Sequence, residues 1–214
     1  MNKVLIVSAH PDDELLGVGG TICKHIDNGD EVYVCIVTKA YEPEWSKEYI
    51  EQKVKEQKAV DELLGIKKRF NLDMPTVKLN TIPTGEFNSA ISSVFKEVRP
   101  DIVYTHFEHD LNYDHTLVFH ACMVAARPPN RVKLLCYEVA ETAWCKKPFI
   151  PDTYVNISGY LDKKIKAFEC YKSEVQDYPH PRSPEGIRIK AQQRGMEAGL
   201  QRAEAFIQVR GYWL

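Results

Sequence analysis

The chain has 214 residues, 27% of them charged and 44% hydrophobic, and a formal net charge of −2. This length is enough for one large core, so we expect one domain over residues 1–214. The near-neutral charge gives no basic field that would attract nucleic acid or an anionic membrane, and no apolar run is long enough to span a bilayer. Six cysteines occur singly, without a CxxC pair, which is typical of buried reduced thiols and favours a cytoplasmic protein.

Strand and helix patterns alternate along the first two thirds of the chain. The apolar run at 3–8 has the length and composition of a fully buried parallel strand. Further strands are predicted at 31–38, 68–72, 101–105 and 132–137. Apolar residues at helical spacing, bounded by Gly, Pro and capping residues, predict helices at 13–28, 46–64, 86–98 and 114–127. This alternation predicts an α/β, Rossmann-like fold: a mostly parallel sheet with helices on both faces.

The pattern is less regular after residue 137. Ser183 followed by Pro184 is typical of the first residues of a helix. The elements expected here are a strand at 153–157, a helix at 158–174, a loop at 176–182, a helix from 183 towards 205, and a strand at 206–209. This last third would extend the sheet or pack on it.

The segment Ala9-His10-Pro11-Asp12-Asp13-Glu14 follows the first strand directly. In open α/β sheets the carboxyl ends of the strands carry the ligand-binding residues. One imidazole and three carboxylates within five residues lose solvation and repel one another unless a cation is bound, and a divalent metal is the simplest such cation. The alternative is a solvated turn in which Asp12 or Asp13 caps the next helix.

A second group of His and Asp residues follows the fourth predicted strand. The histidines of this group are His106, His109 and His115. In the common strand order 3-2-1-4-5, strands 1 and 4 are neighbours, so both groups fall at one edge of the sheet. His10 and Asp13 would complete a His₂–carboxylate metal site with one histidine of the second group. All three histidines compete for that position, and His115 is favoured because it lies at the start of a helix.

These motifs resemble the PIG-L/LmbE family of zinc-dependent N-acetyl sugar deacetylases. The resemblance rests on Ala9-His10-Pro11-Asp12-Asp13-Glu14 together with the later Asp110-x-Asn112-x-Asp114-His115. It extends through Arg99-Pro100-Asp101 and continues into Arg194-Gly195 and Ala203-Glu204-Ala205-Phe206, so it covers most of the chain. It implies an LmbE-like Rossmann fold, hydrolysis of an N-acyl amino sugar, and assembly as a trimer or hexamer.

Carried over by position, the resemblance implies that zinc binds His10, Asp13 and His115 and that Asp12 is the general base. The chemistry of these residues agrees with that assignment. Zinc lowers the pKa of a bound water towards about 7 and polarises the amide carbonyl. Asp12 lies next to a ligand without being needed as one, so it can take the proton of the water and pass it to the leaving amine.

Two positions differ from the common family pattern. Many members have a histidine, as oxyanion donor or general acid, where this chain has Asn112. An amide donates a hydrogen bond but no proton, so Asp12 would make both proton transfers. We count Asn112 and Asp114 with Asp12 as candidate catalytic residues, although Asp114 could instead cap the fourth helix. Lys53 replaces an arginine common near the base, and it could also be a solvated surface lysine.

Five residues are candidates for contact with substrate: Lys53, Asp110, Arg127, His180 and Arg182. Asp110 could instead orient the metal-binding loop. Arg127 could instead be a favourable cation at a helix C-terminus. His180 and Arg182 belong to a Pro-rich loop that would reach the mouth of the pocket.

The leading hypothesis is a zinc-dependent amide hydrolase that removes the acetyl group from an N-acetylglucosamine-type amino sugar or glycoconjugate. Free, nucleotide-linked and lipid-linked sugars and pseudo-disaccharides all stay open as substrates, because specificity lies in irregular loops. An Fe(II) enzyme with the same His₂–carboxylate set is an alternative that the extra carboxylate of Asp12 disfavours. A catalytically impaired metal- or sugar-binding module is another, and Asn112 keeps it open.

Overall fold

The structure, a computed structural model, describes residues 1–212, apart from the side chain of Glu141. Its strands are β1 (Lys3–Ser8), β2 (Glu31–Lys39), β3 (Lys68–Pro75), β4 (Ile102–His106), β5 (Lys133–Tyr137), β6 (Thr153–Asn156) and β7 (Ala203–Arg210). Its α-helices are α1 (Asp13–Asp27), α2 (Lys47–Leu64), α3 (Thr84–Val98), α4 (Tyr113–Ala125), α5 (Leu161–Phe168) and α6 (Pro184–Ala198). Two 3₁₀ turns cover Leu79–Thr81 and Ala140–Trp144.

The described strands form one mixed sheet in the order β3-β2-β1-β4-β5-β7-β6. β1 pairs in parallel with β2 on one side and with β4 on the other. β7 runs antiparallel to both β5 and β6. The predicted α/β fold with a mostly parallel sheet is therefore confirmed, and the strand order reverses between β1 and β4, where a ligand site is expected.

Helices cover both faces of the sheet, as predicted. The alternating side chains of β1 show this directly: Val4 and Ile6 pack in one core cluster with α1, α2, α5 and α6, whereas Leu5 and Val7 pack in a second cluster with α3 and α4. Because both faces are covered, the central strand is apolar from Val4 to Val7.

α1 packs unusually close to the sheet through glycine. A Cβ atom on Gly17 would lie 2.2 Å from Cδ2 of Tyr137 on β5, so only glycine fits between this helix and that ring. Farther along α1, the buried carboxylate of Glu204 accepts hydrogen bonds from the backbone N–H groups of Gly20 and Thr21 and from Lys164. α1 is thereby fixed to β7 and α5.

The boundaries differ from the prediction mainly in the last third. α5 ends at Phe168, and single turns replace the helix expected to residue 174. α6 ends before Gly199, whose φ of 67° is left-handed, so the helix does not continue towards 205. β7 accordingly begins at Ala203, where its pairing with β6 starts. Within residues 1–212, no helix combines the length and apolarity that crossing a bilayer requires.

Candidate metal centre and active-site cleft

Three side chains from the two predicted loops converge at the carboxyl ends of β1 and β4. His10 lies in the turn after β1, Asp13 is the first residue of α1, and His115 lies in the first turn of α4. Nδ1 of His10 lies 3.2 Å from Nε2 of His115. Oδ2 of Asp13 lies 3.3 Å from the former atom and 3.4 Å from the latter. The three donor atoms form a nearly equilateral triangle.

This triangle has the dimensions of one face of a small tetrahedral metal site. Bonds of about 2.0–2.1 Å to a tetrahedral ion place the ligand atoms about 3.3–3.4 Å apart. The second oxygen of Asp13, Oδ1, is buried and has no hydrogen-bond partner among residues 1–212. A buried carboxylate beside two imidazoles, with one oxygen unsatisfied, fits a divalent cation better than it fits a structural hydrogen-bond network.

Each histidine of the triangle contacts a carboxylate through its other ring nitrogen. Oδ2 of Asp114 lies 3.2 Å from Nε2 of His10, and Oδ1 of Asp110 lies 3.1 Å from Nδ1 of His115. Burial disfavours the charged rings, yet these carboxylates and Asp13 raise the pKa of His10 to about 9 and that of His115 to about 10. Carboxylates in this position fix ring orientation and increase the basicity of a metal ligand.

Asn112, and not Asp114, caps α4. Oδ1 of Asn112 accepts a hydrogen bond of 3.0 Å from the backbone N–H of Asp114. The carboxylate of Asp114 is turned away from the helix, towards His10 and the backbone N–H of Val77, which donates at 2.7 Å. The capping alternative for Asp114 is therefore wrong. Asn112 also lines the cleft, and its cap uses the amide oxygen, so the donor side of the amide is available to a ligand.

His106 is a buried neighbour of the triangle, not a member of it. Its ring stacks on that of His115 with centroids 3.8 Å apart, and its Nε2 accepts a hydrogen bond from the backbone N–H of Ala9. Burial and the adjacent His115 lower the pKa of His106 to about 4, which keeps the ring neutral. The sequence left its role undecided because the strand order places His106 at the same end of the sheet as His10 but does not show which contacts its ring makes.

Asp12 lies beside the triangle in a strained backbone conformation. Its φ is 120°, a region that disfavours any residue with a Cβ, and its backbone N–H is held by Oε2 of Glu14. The side chain is 2% exposed, and its Oδ2 lies 3.4 Å from Nη1 of Arg182. Burial raises the pKa of Asp12 well above its ordinary value, and the charge of Arg182 opposes that rise.

The triangle opens into a cleft of about 400 Å³. Its lining includes His10 and Asp12 at the metal centre, and Lys53, Glu174 and Arg182 farther out. Lys53 is 7% exposed and donates to Glu174, so the interpretation of Lys53 as a solvated surface lysine is wrong. Trp45 and Tyr49, from the residues around the start of α2, contribute aromatic surface to the same cleft.

The other expected substrate contacts fall elsewhere. Asp110 is buried beside His115, where Thr142 donates to it at 2.6 Å, so it orients the ring of His115 and does not line the cleft. Arg127 follows the last turn of α4, at the opposite end of that helix from His115, and its side chain bonds the carbonyl of Val124. His180 does not line the cleft; it accepts a hydrogen bond from the backbone of Arg182 and supports that loop.

Comparison with known proteins identifies relatives that match most of the chain. A family model described as PIG-L, GlcNAc-PI de-N-acetylase, matches residues 5–126, more than half of the chain. The 4-oxalmesaconate hydratase of Pseudomonas putida is 28% identical over 191 residues, which cover 78% of this chain and 72% of the relative. The diacetylchitobiose deacetylase of Thermococcus kodakarensis is 28% identical over 196 residues, covering 83% and 72%.

Solved structures share the fold over the full length. A conserved protein of Thermus thermophilus superposes with a TM-score of 0.80 at 24% identity, covering 100% of this chain and 97% of the other. At this level of identity the similarity establishes the architecture. The hydratase and the deacetylase together indicate that relatives of this chain carry out more than one reaction.

Proposed function

The chain belongs to the PIG-L family, and from this membership we propose that it is a zinc-dependent hydrolase that removes the acetyl group from an N-acetylglucosamine-type amino sugar. The observation that carries the proposal is the triangle of His10, Asp13 and His115 with the carboxylate of Asp12 beside it at the floor of a cleft. The names of relatives, such as diacetylchitobiose deacetylase, agree with this chemistry.

His10, Asp13 and His115 would hold the zinc, as two nitrogen donors and one carboxylate that leave a position for water. When bound, the metal polarises the acyl oxygen of the substrate and lowers the pKa of a coordinated water. Asp110 and Asp114 keep the two imidazoles in the tautomers that direct Nε2 of His115 and Nδ1 of His10 towards the centre.

Asp12 makes the proton transfers. Its carboxylate accepts a proton from the water that attacks the acyl carbon, and it returns that proton to the nitrogen when the carbon–nitrogen bond breaks. The products are acetate and the free amine of the sugar. Burial of Asp12 increases its basicity, and Arg182 at 3.4 Å keeps its carboxylate directed into the cleft.

Asn112 is the candidate donor to the acyl oxygen. Its oxygen is engaged at the helix cap, so its Nδ2 group is the part that faces substrate. A hydrogen bond to an oxygen that gains negative charge is worth about 3 kcal/mol of barrier in comparable sites. This role needs no proton from Asn112, in agreement with Asp12 as the acid and the base.

The test is release of amine and acetate from N-acetyl sugars by zinc-loaded protein. We expect equimolar amine and acetate, abolished by a chelator and restored by zinc. In His115→Ala the loss of activity should coincide with loss of bound metal. Metal-loaded protein that releases neither product from any N-acetyl sugar would contradict the proposal.

Hydration of a carbon–carbon double bond is the second candidate reaction, because the hydratase of Pseudomonas putida is among the relatives. It would use the same base, with the proton of water taken by Asp12 and returned to carbon. Loss of the absorbance of an unsaturated polycarboxylate, without amine release from any sugar, would favour it. Oxygen consumption by the iron-loaded protein would favour the Fe(II) alternative, and tight sugar binding without turnover would favour the binding module.

A further inference from the structure

We propose that the substrates of this cleft are uncharged N-acetyl amino sugars, and that Glu174 determines this specificity by pairing with both Lys53 and Arg182. This inference rests on the proposed deacetylase function and narrows its substrates. It excludes phosphorylated, nucleotide-linked and carboxylated sugars, although the proposed reaction at the N-acetyl group would be the same for all of them.

Glu174 binds both cations of the inner cleft at once. Its Oε1 accepts hydrogen bonds from Nζ of Lys53 at 2.5 Å and from the hydroxyl of Tyr49 at 3.0 Å. Its Oε2 accepts one from Nη1 of Arg182 at 2.9 Å. The side chain of Glu174 is only 17% exposed, so these contacts are largely shielded from water and are stronger than surface ion pairs.

The remaining charges of the cleft are paired as well. Arg182 also faces Asp12, Lys53 also lies 3.4 Å from Glu56, and Lys39 lies 3.7 Å from Asp73. Of the described residues that line the cleft, the Lys and Arg side chains are Lys39, Lys53 and Arg182, and the carboxylates are Asp12, Asp73 and Glu174. Each of these three cations therefore lies beside at least one of these carboxylates.

A phosphate or carboxylate would have to break one of these pairs. Anion sites in proteins use Arg or Lys side chains, or backbone N–H groups, as hydrogen-bond donors. Here an incoming anion would displace Glu174 from Lys53 or Arg182 and would then lie against a second negative charge. Like charges brought together in a site shielded from water repel each other strongly. Neutral hydroxyl groups meet no such repulsion, and Gln57, Asn71 and Thr76 line the cleft with uncharged donors and acceptors.

The experiment compares kcat/KM for matched neutral and anionic substrates in the zinc-loaded protein. The neutral substrates are N-acetylglucosamine and diacetylchitobiose, and the anionic ones are N-acetylglucosamine 6-phosphate and uridine diphosphate N-acetylglucosamine. We expect the wild type to favour the neutral substrates by about 100-fold. Glu174→Gln keeps the shape of the side chain but removes the one carboxylate that Lys53 and Arg182 share, so this preference should fall by about tenfold or more.

The matched control is Glu97→Gln. Glu97 pairs with Lys68, the first residue of β3, at the amino ends of the strands, whereas the cleft lies at their carboxyl ends. The side chain of Glu97 is 56% exposed. This variant changes the net charge of the protein by the same amount as Glu174→Gln, and its neutral-to-anionic ratio should equal that of the wild type. Because the ratio of neutral to anionic kcat/KM is taken within each variant, a loss of rate that affects all substrates equally cancels.

A wild type that prefers the phosphorylated or nucleotide-linked sugar would overturn the inference, and so would an unchanged ratio in Glu174→Gln. Failure of the proposed function gives a different result, which is no amine release from any substrate. In that case equilibrium binding of the same sugars to the wild type decides the inference: tighter binding of neutral sugars, reversed or reduced in Glu174→Gln, supports it, and tighter binding of the phosphorylated sugar overturns it.

Discussion

Asp12 combines backbone strain, burial and a charged neighbour in one residue. Its φ of 120° is unfavourable for a residue with a side chain, and such conformations persist at functional sites because the surroundings enforce them. Here Glu14 holds the backbone N–H of Asp12, and Arg69 and Tyr171 hold Glu14 in turn. This buried network keeps the carboxylate at the cleft floor at the expense of stability.

Replacing Asp12 should therefore separate stability from activity. Glycine adopts this φ without strain and alanine does not, so Asp12→Gly should have a larger free energy of unfolding than Asp12→Ala, by about 1 kcal/mol or more. Both variants lack the carboxylate and should be inactive. Urea denaturation of the two metal-free variants measures the difference. An alanine variant at least as stable as the glycine variant would show that the backbone of Asp12 is not strained.

Asp114 acts on the metal through His10. Asp114→Asn keeps the size of the side chain but replaces the charge that holds Nε2 of His10. We expect metal affinity to fall by about 10- to 100-fold, as for other residues that orient a metal-binding histidine. Competition with a chelating dye measures the affinity. Asp162→Asn, at an exposed residue that pairs with Arg188, is the control and should bind metal like the wild type.

At the scale of elements, α1 depends on close approach to the sheet more than on helix propensity. Gly17→Ala should destabilise the fold by about 1–3 kcal/mol, because the added Cβ meets the ring of Tyr137. Gly85→Ala in the first turn of α3 is the matched control: a Cβ there meets nothing within 4 Å, and alanine should stabilise by up to about 1 kcal/mol. Thermal unfolding compares the two. Equal effects would mean that helix propensity alone decides.

Glu174, in the segment between α5 and α6, makes a pH-dependent contribution to the free energy of unfolding. Burial alone would raise the pKa of Glu174, but its contacts with Lys53, Tyr49 and Arg182 hold that pKa below the ordinary value. A carboxylate with a lowered pKa stabilises the folded state above the unfolded pKa of about 4.3, and this stabilisation is lost as the pH falls through the folded-state pKa.

The difference in free energy of unfolding between the wild type and Glu174→Gln should thus be constant above about pH 5 and should shrink below about pH 4. Urea denaturation at a series of pH values measures it. A difference that grows on acidification would show that the carboxylate is not stabilised by its neighbours.

At the scale of the whole molecule, the site could be predicted from the sequence because it lies at the ends of two strands that are neighbours in the sheet. Buried strands β1 and β4 are recognisable as apolar runs, and each is followed by His and Asp residues. Because adjacent parallel strands end at one edge of the sheet, the sequence was sufficient to predict that His10 and Asp13 lie near His115. The two-sided core follows from the same apolar runs.

Other parts of the site depend on long-range packing that has no local pattern. Glu174 follows a short helix, with nothing in its neighbours to indicate that it meets Lys53 on α2. Lys53 itself has the sequence context of a surface residue, yet it is buried because the α5–α6 segment closes over it. β7 begins at Ala203, earlier than the predicted strand at 206, because it pairs with β6. The local sequence pattern gives no information about this pairing.

The measurement that tests the central claim most directly is amine release by Asp12→Asn, with zinc content determined on the same sample. The asparagine keeps the shape of the site and leaves His10, Asp13 and His115 unchanged. We predict full zinc occupancy and a rate at least about 100-fold below that of the wild type, because the proton acceptor is lost. A variant that binds zinc and releases amine at the wild-type rate would contradict the assignment of Asp12 as the base.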